Sequence, residues 1–138
     1  MIMDYVSIRA ASIALLAILG AVIVFHVLVV GGILPKTIVW GGRISDSKRV
    51  VRAEIGSIVV LLVTAAFVIM RWHSLAHGSQ NIVAAVGVWV LVVLFTLNTV
   101  GNLFAKTRFE RVVFTPFTLL LALLMLRLAL AQGDFSGS

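Results

Sequence analysis

The sequence contains no cysteine, which excludes structural disulfides, thiolate zinc sites, iron–sulfur clusters and thiol nucleophiles. Charge is nearly as scarce. Asp, Glu, Lys and Arg make up 12% of the 138 residues, about half the share usual in a soluble domain. No Asp or Glu falls in the middle of an apolar run, which argues against a carboxylate proton relay at a bilayer midplane. Walker motifs, the metalloprotease HExxH and a nucleophile–base–orienter set are also missing.

What is present is apolar surface. Hydrophobic residues make up 62% of the chain, more than one core of this size can hide, so lipid must solvate much of it. About 20 apolar residues cross ~30 Å of hydrocarbon, and four runs reach that length, at about 5–30, 50–71, 81–104 and 112–131. The first is read as a retained transmembrane helix rather than a signal peptide: Asp4 precedes Arg9, and no small-residue cleavage site follows a short apolar core. Ala10, Ala14, Ala17 and Ala21 recur on it at or near four-residue spacing, which suits close helix contact. Gly31-Gly32 ends it. The segment from Ile33 to Trp40 is too short to cross and is placed at the interface, with Trp40 at headgroup level. Connections this short join antiparallel neighbours. The expectation is one integral membrane domain over 1–138, all-α, an up-down transmembrane four-helix bundle.

The net charge of +6 resides in the connections. Lys36, Arg43, Lys48, Arg49 and Arg52 lie in or beside the first, and Lys106, Arg108 and Arg111 in the third, against Arg9, Arg71 and Arg127 on the other side. This bias predicts a multi-pass protein of the bacterial cytoplasmic (inner) membrane. Connections one and three would be cytoplasmic, near anionic lipid headgroups, and both termini extracytoplasmic. Nucleic acid is not an expected partner, because no basic stripe interleaves with aromatic residues.

The polar residues inside the runs are not scattered. His26 ends the first, Glu54 and Ser57 open the second, Asn98 and Asn102 close the third and Thr115 opens the fourth, all at one depth. Asn98 and Asn102 are four apart and share a helix face, with Gly87 on nearly the same face; Ser12 aligns with His26 and Ser57 with Thr64. Two readings follow. In one, these groups line a pocket for a polar solute or ion; in the other, they bond one another as interhelical glue, at about 0.6 kcal/mol per bond. His73 and His77 have chelating spacing, but Gly78 and the short connection disfavour a helix there, so solvation is expected and no metal or cofactor is assigned. Arg71-Trp72 is read as an interfacial anchor, and Arg108, Glu110 and Arg111 as a solvated loop.

The block around Pro35, Trp40-Gly41-Gly42, Arg52 and Ser57, with His26 before it, and the block Asn98, Asn102, Ala105-Lys106-Thr107, Glu110 and Thr115-Pro116 together resemble a group of small bacterial four-helix integral membrane proteins. The resemblance implies the fold and a membrane location, and no activity. The pattern is unlike small multidrug exporters, which carry a membrane-embedded Glu in the first helix, and the charge bias is unlike a dual-topology fluoride channel. The functional expectation is a transporter- or channel-like protein, working as an oligomer, with His26, Glu54, Asn98 and Asn102 binding a small polar solute or ion. The alternative is a non-catalytic accessory subunit packed against a membrane partner. A lipid-directed enzyme is the least favoured reading.

Overall fold

The computed structural model describes residues 7–35, 47–105 and 107–131. The expectations for Lys36, Trp40, Arg43, Lys106 and the C-terminal tail lie outside them. Four helices form: α1 (Ile8–Val30), α2 (Ser47–Ala76), α3 (Ile82–Leu103) and α4 (Thr115–Leu130), the last preceded by a π-helical turn at Glu110–Phe114. All four spans are long and apolar enough to cross a membrane, and the described residues contain no strand. α1 packs on α2 and α4, and α3 on α2 and α4, giving the expected all-α up-down bundle.

The helix ends follow from local chemistry. Ser7 caps α1 by accepting the Ala10 N–H at 3.0 Å. Gly32, at φ 80°, stops the helix: its N–H reaches Val29 O while the Ile33 N–H reaches Leu28 O. This pair of bonds needs a left-handed residue, which glycine adopts without penalty. Gly78, at φ 64°, ends α2 in the same way, with Ser79 N–H on Ser74 O. Asn81 then caps α3 through Ala84 N–H. Helix α2 runs past the expected boundary at Arg71 to Ala76, so His73 is helical and its ring stacks on that of His77 at 4.2 Å. No group of three candidate metal ligands occurs among the described residues.

The fourth span starts earlier than its apolar run. Thr107 and Glu110 form a reciprocal cap, with the Thr107 hydroxyl accepting the Glu110 N–H and donating to its carboxylate. Glu110 is therefore buried, not part of a solvated loop. The π turn, closed by Thr115 N–H on Glu110 O, immediately precedes Pro116. Proline cannot donate and its ring crowds the carbonyl four residues back, so a widened turn accommodates it.

The interior divides into two unlike halves. At the end holding the N-terminus of α1, a dry core is built from Leu15, Leu19, Val68, Val88, Met125 and Leu128. Here α2 and α3 approach so closely that a Cβ on Gly87 would lie 2.3 Å from the Phe67 ring. Arg71, expected as a surface anchor, is buried and closes the C-terminus of α4, donating from Nε to Leu128 O at 3.1 Å and from Nη2 to Ala131 O at 2.5 Å. Leu128 O otherwise accepts only the long 3.4 Å bond from the C-cap Ala131 N–H, and a guanidinium can serve two terminal carbonyls at once. Trp89 faces outward, and Trp72 packs on the core.

Two outcomes follow for stability in detergent. Gly87→Ala should lower the thermal midpoint, by about 1–3 kcal/mol of overpacking, and Phe67→Leu in the same chain should recover most of the loss. Arg71→Met should cost about 1.5–3 kcal/mol, the range for hydrogen bonds to a charged group, with Arg71→Lys intermediate because one ammonium cannot span both carbonyls.

Candidate functional site

The other half of the bundle encloses a cavity of about 720 Å³, lined by the C-terminal halves of α1 and α3 and the N-terminal halves of α2 and α4. The antiparallel order brings these four segments to one level.

The His26 Nδ1 bonds Glu54 Oε2, joining α1 to α2. Glu54 is fully buried and has a further interaction besides. With the carboxylate accepting, the imidazole proton sits on Nδ1, and Nε2 is left as the second ring nitrogen. Burying an isolated carboxylate in hydrocarbon would be prohibitive, and the His26 contact together with that further interaction offsets the cost.

A second cluster joins α3 to α4. Asn102 Nδ2 donates to Thr118 Oγ1 at 3.3 Å, and Thr99 Oγ1 lies 3.1 Å from the same oxygen. Thr118 in turn donates to Phe114 O at 2.9 Å. Asn98 also lines the cavity and is exposed, forming no hydrogen bond with a described residue. Ser57 lines it too, with its hydroxyl turned back to Ala53 O at 3.1 Å. Around these groups the wall is apolar. Phe25, Phe109 and Phe114 pack edge-to-face and stacked, narrowing the α1–α4 corner.

Of the six residues singled out from sequence, the structure brings His26, Glu54, Ser57, Asn98 and Asn102 to one cavity. Thr115 is at the same depth but outside the lining, its hydroxyl buried without a partner. Thr118, one turn on, takes the place expected of it. Depth alone cannot separate two threonines on successive turns, because only the facing of the helix decides. Glu110 also lines the cavity and was missed; the spacing Thr107-x-x-Glu110 before an apolar run was the available signal. Ser12, aligned with His26, is instead locked in the dry core with an unpartnered hydroxyl, and Thr64 bonds its own helix at Val60 O. Gly87 serves the α2–α3 contact and lies outside the cavity.

No protein-family model, curated protein or solved structure matches this chain.

If His26 and Glu54 stabilise one another, the effects of replacing them should not add. His26→Leu should destabilise the bundle by about 1–3 kcal/mol, the range for a hydrogen bond to a buried charged group. The His26→Leu/Glu54→Leu double variant should be less destabilised than the sum of the two singles, as measured by thermal melts in detergent.

Proposed function

We propose that this protein is a small carrier-like transporter of the bacterial cytoplasmic membrane, which binds a small molecule or ion through the polar groups of its one-sided cavity. The observation that carries this reading is the convergence of His26–Glu54 and Asn98–Asn102–Thr118, from four helices, on one space of about 720 Å³. Interhelical glue alone needs no such volume beside it: polar groups that only hold helices together are best served by tight packing around them. Ligand sites generally have a mostly apolar wall with a few placed polar groups, in cavities of roughly 300–1,000 Å³.

A carrier fits better than a channel. Beyond Leu61, Phe95 and Leu121 the interior is filled by the dry core, which leaves no continuous polar path across the bundle. A solute bound in the cavity would need the helices to rearrange before it left on the far side. The basic residues flanking the cavity end, among them Lys48, Arg49, Arg52, Arg108 and Arg111, favour placing that end in the cytoplasm.

Two measurements test this. A panel of small solutes is screened for thermal stabilisation of the purified protein; a ligand at 100 times its Kd adds about 2.7 kcal/mol. The Asn98→Leu variant, which removes no hydrogen bond between described residues, should fold with nearly unchanged stability and lose the response. A variant that merely melts earlier, with no solute stabilising the parent protein, would instead favour an accessory subunit. Second, a tag after Ser138 should be labelled from outside spheroplasts, and labelling only after permeabilisation would reverse the orientation.

A further inference from the structure

The cavity has a polar end and a long apolar wall, and its exposed lining residues are concentrated on two helices. Gly56 and Val60 on α2 and Leu97, Asn98 and Gly101 on α3 are exposed, against Ala21 alone on α1 and Phe117 alone on α4. Leu97 is 63% exposed and Val60 43%. A Cβ at Gly56 or Gly101 would meet nothing within 4 Å. The same two helices are pinned at the opposite end, where Gly87 meets Phe67 and the short Ser74–Ser79 turn joins them. They therefore diverge from a closed end to an open one. At that level the rings of Phe25, Phe109 and Phe114 pack across the α1–α4 corner and narrow it. The gap between α2 and α3 lies along spans that cross the membrane, so it faces the side of the bundle where lipid is.

We propose that the ligand is a membrane amphiphile, an acyl chain bearing a hydrogen-bonding head, which enters laterally through the α2–α3 gap and sets its head beside His26–Glu54, Asn98 and Asn102. The inference rests on the carrier reading and narrows its substrate class. Size and polarity both support it. A volume of about 720 Å³ corresponds to roughly two dozen waters at ~30 Å³ each, far more than one ion or its first hydration shell needs. Most of the wall offers no hydrogen bonds to that water: Val22, Phe25, Leu94, Phe95, Phe117 and Leu121 are all lining residues. Depth fits as well. His26 lies four residues before the end of α1, about 6 Å along the axis at 1.5 Å per residue. The polar groups thus sit just below the level where lipid heads meet their chains.

The test uses tryptophan as a contact probe in vesicles of phosphatidylcholine brominated on the acyl chain. One protein keeps Trp89 alone, 44% exposed, as the lipid-facing reference. A second carries Phe95→Trp as its only tryptophan, at a lining position that is 3% exposed, and Phe114→Trp is the substitute probe if the first misfolds. Lipid entry predicts quenching of the Phe95→Trp probe comparable to that of Trp89, and loss of that quenching when Gly101→Leu fills the gap. Quenching that survives both Gly101→Leu and Gly56→Leu overturns entry between α2 and α3. Quenching by aqueous acrylamide but not by brominated lipid overturns the amphiphile and leaves a water-facing solute pocket. Quenching by neither reagent removes both the amphiphile and the carrier reading.

Discussion

A carboxyl, imidazole or amide group in hydrocarbon must find a partner inside the protein, and that constraint organises this bundle. Helices in lipid gain little from apolar contact with each other, because acyl chains are as apolar as leucine. What sets one helix against the next is therefore steric fit and polar bonding. The first operates at the closed end, where Gly87 admits the Phe67 ring, alongside the polar bonds by which Arg71 ties α2 to the last carbonyls of α4. The second operates at the open end, where Glu54 draws His26 onto α2 and Thr118 gathers Asn102 and Thr99 onto α4.

These two devices leave α2 and α3 differently connected along their length. They share the short turn and the Gly87 contact at one end. At the other, each makes its polar bond to a different neighbour: Glu54 to α1, and Asn102 to α4. At the cavity level these bonds pair α1 with α2 and α3 with α4, and the cavity is lined by all four helices.

The spans and their number were legible because hydrocarbon thickness and apolar run length are one measurement made twice. The ends of α1 and α3 followed from Gly32 and Asn81 in the same direct way. The meeting of His26 with Glu54 was legible too, since both are costly alone and stand at the same depth. Other features depended on which way a helix faces. Ser12 shares a face with His26 on paper, yet it is buried in the dry core, outside the cavity lining, and Thr115 loses its place to Thr118. Arg71 and Glu110 were misread for a different reason. A charged residue at the end of an apolar run looks solvated until the neighbouring helix end is known. Arg71 serves the terminus of α4, some sixty residues on, and Glu110 serves its own widened first turn.

Volume supplies the last constraint. The space of about 720 Å³ is open to its surroundings along part of its wall, so membrane or water beside the bundle can fill it. Water would leave the phenylalanine and leucine wall unsatisfied, and a bare acyl chain would leave Asn98 without a partner. An occupant with a polar head and an apolar body meets both demands at once, so the same groups that hold the helices together also define what can lie between them.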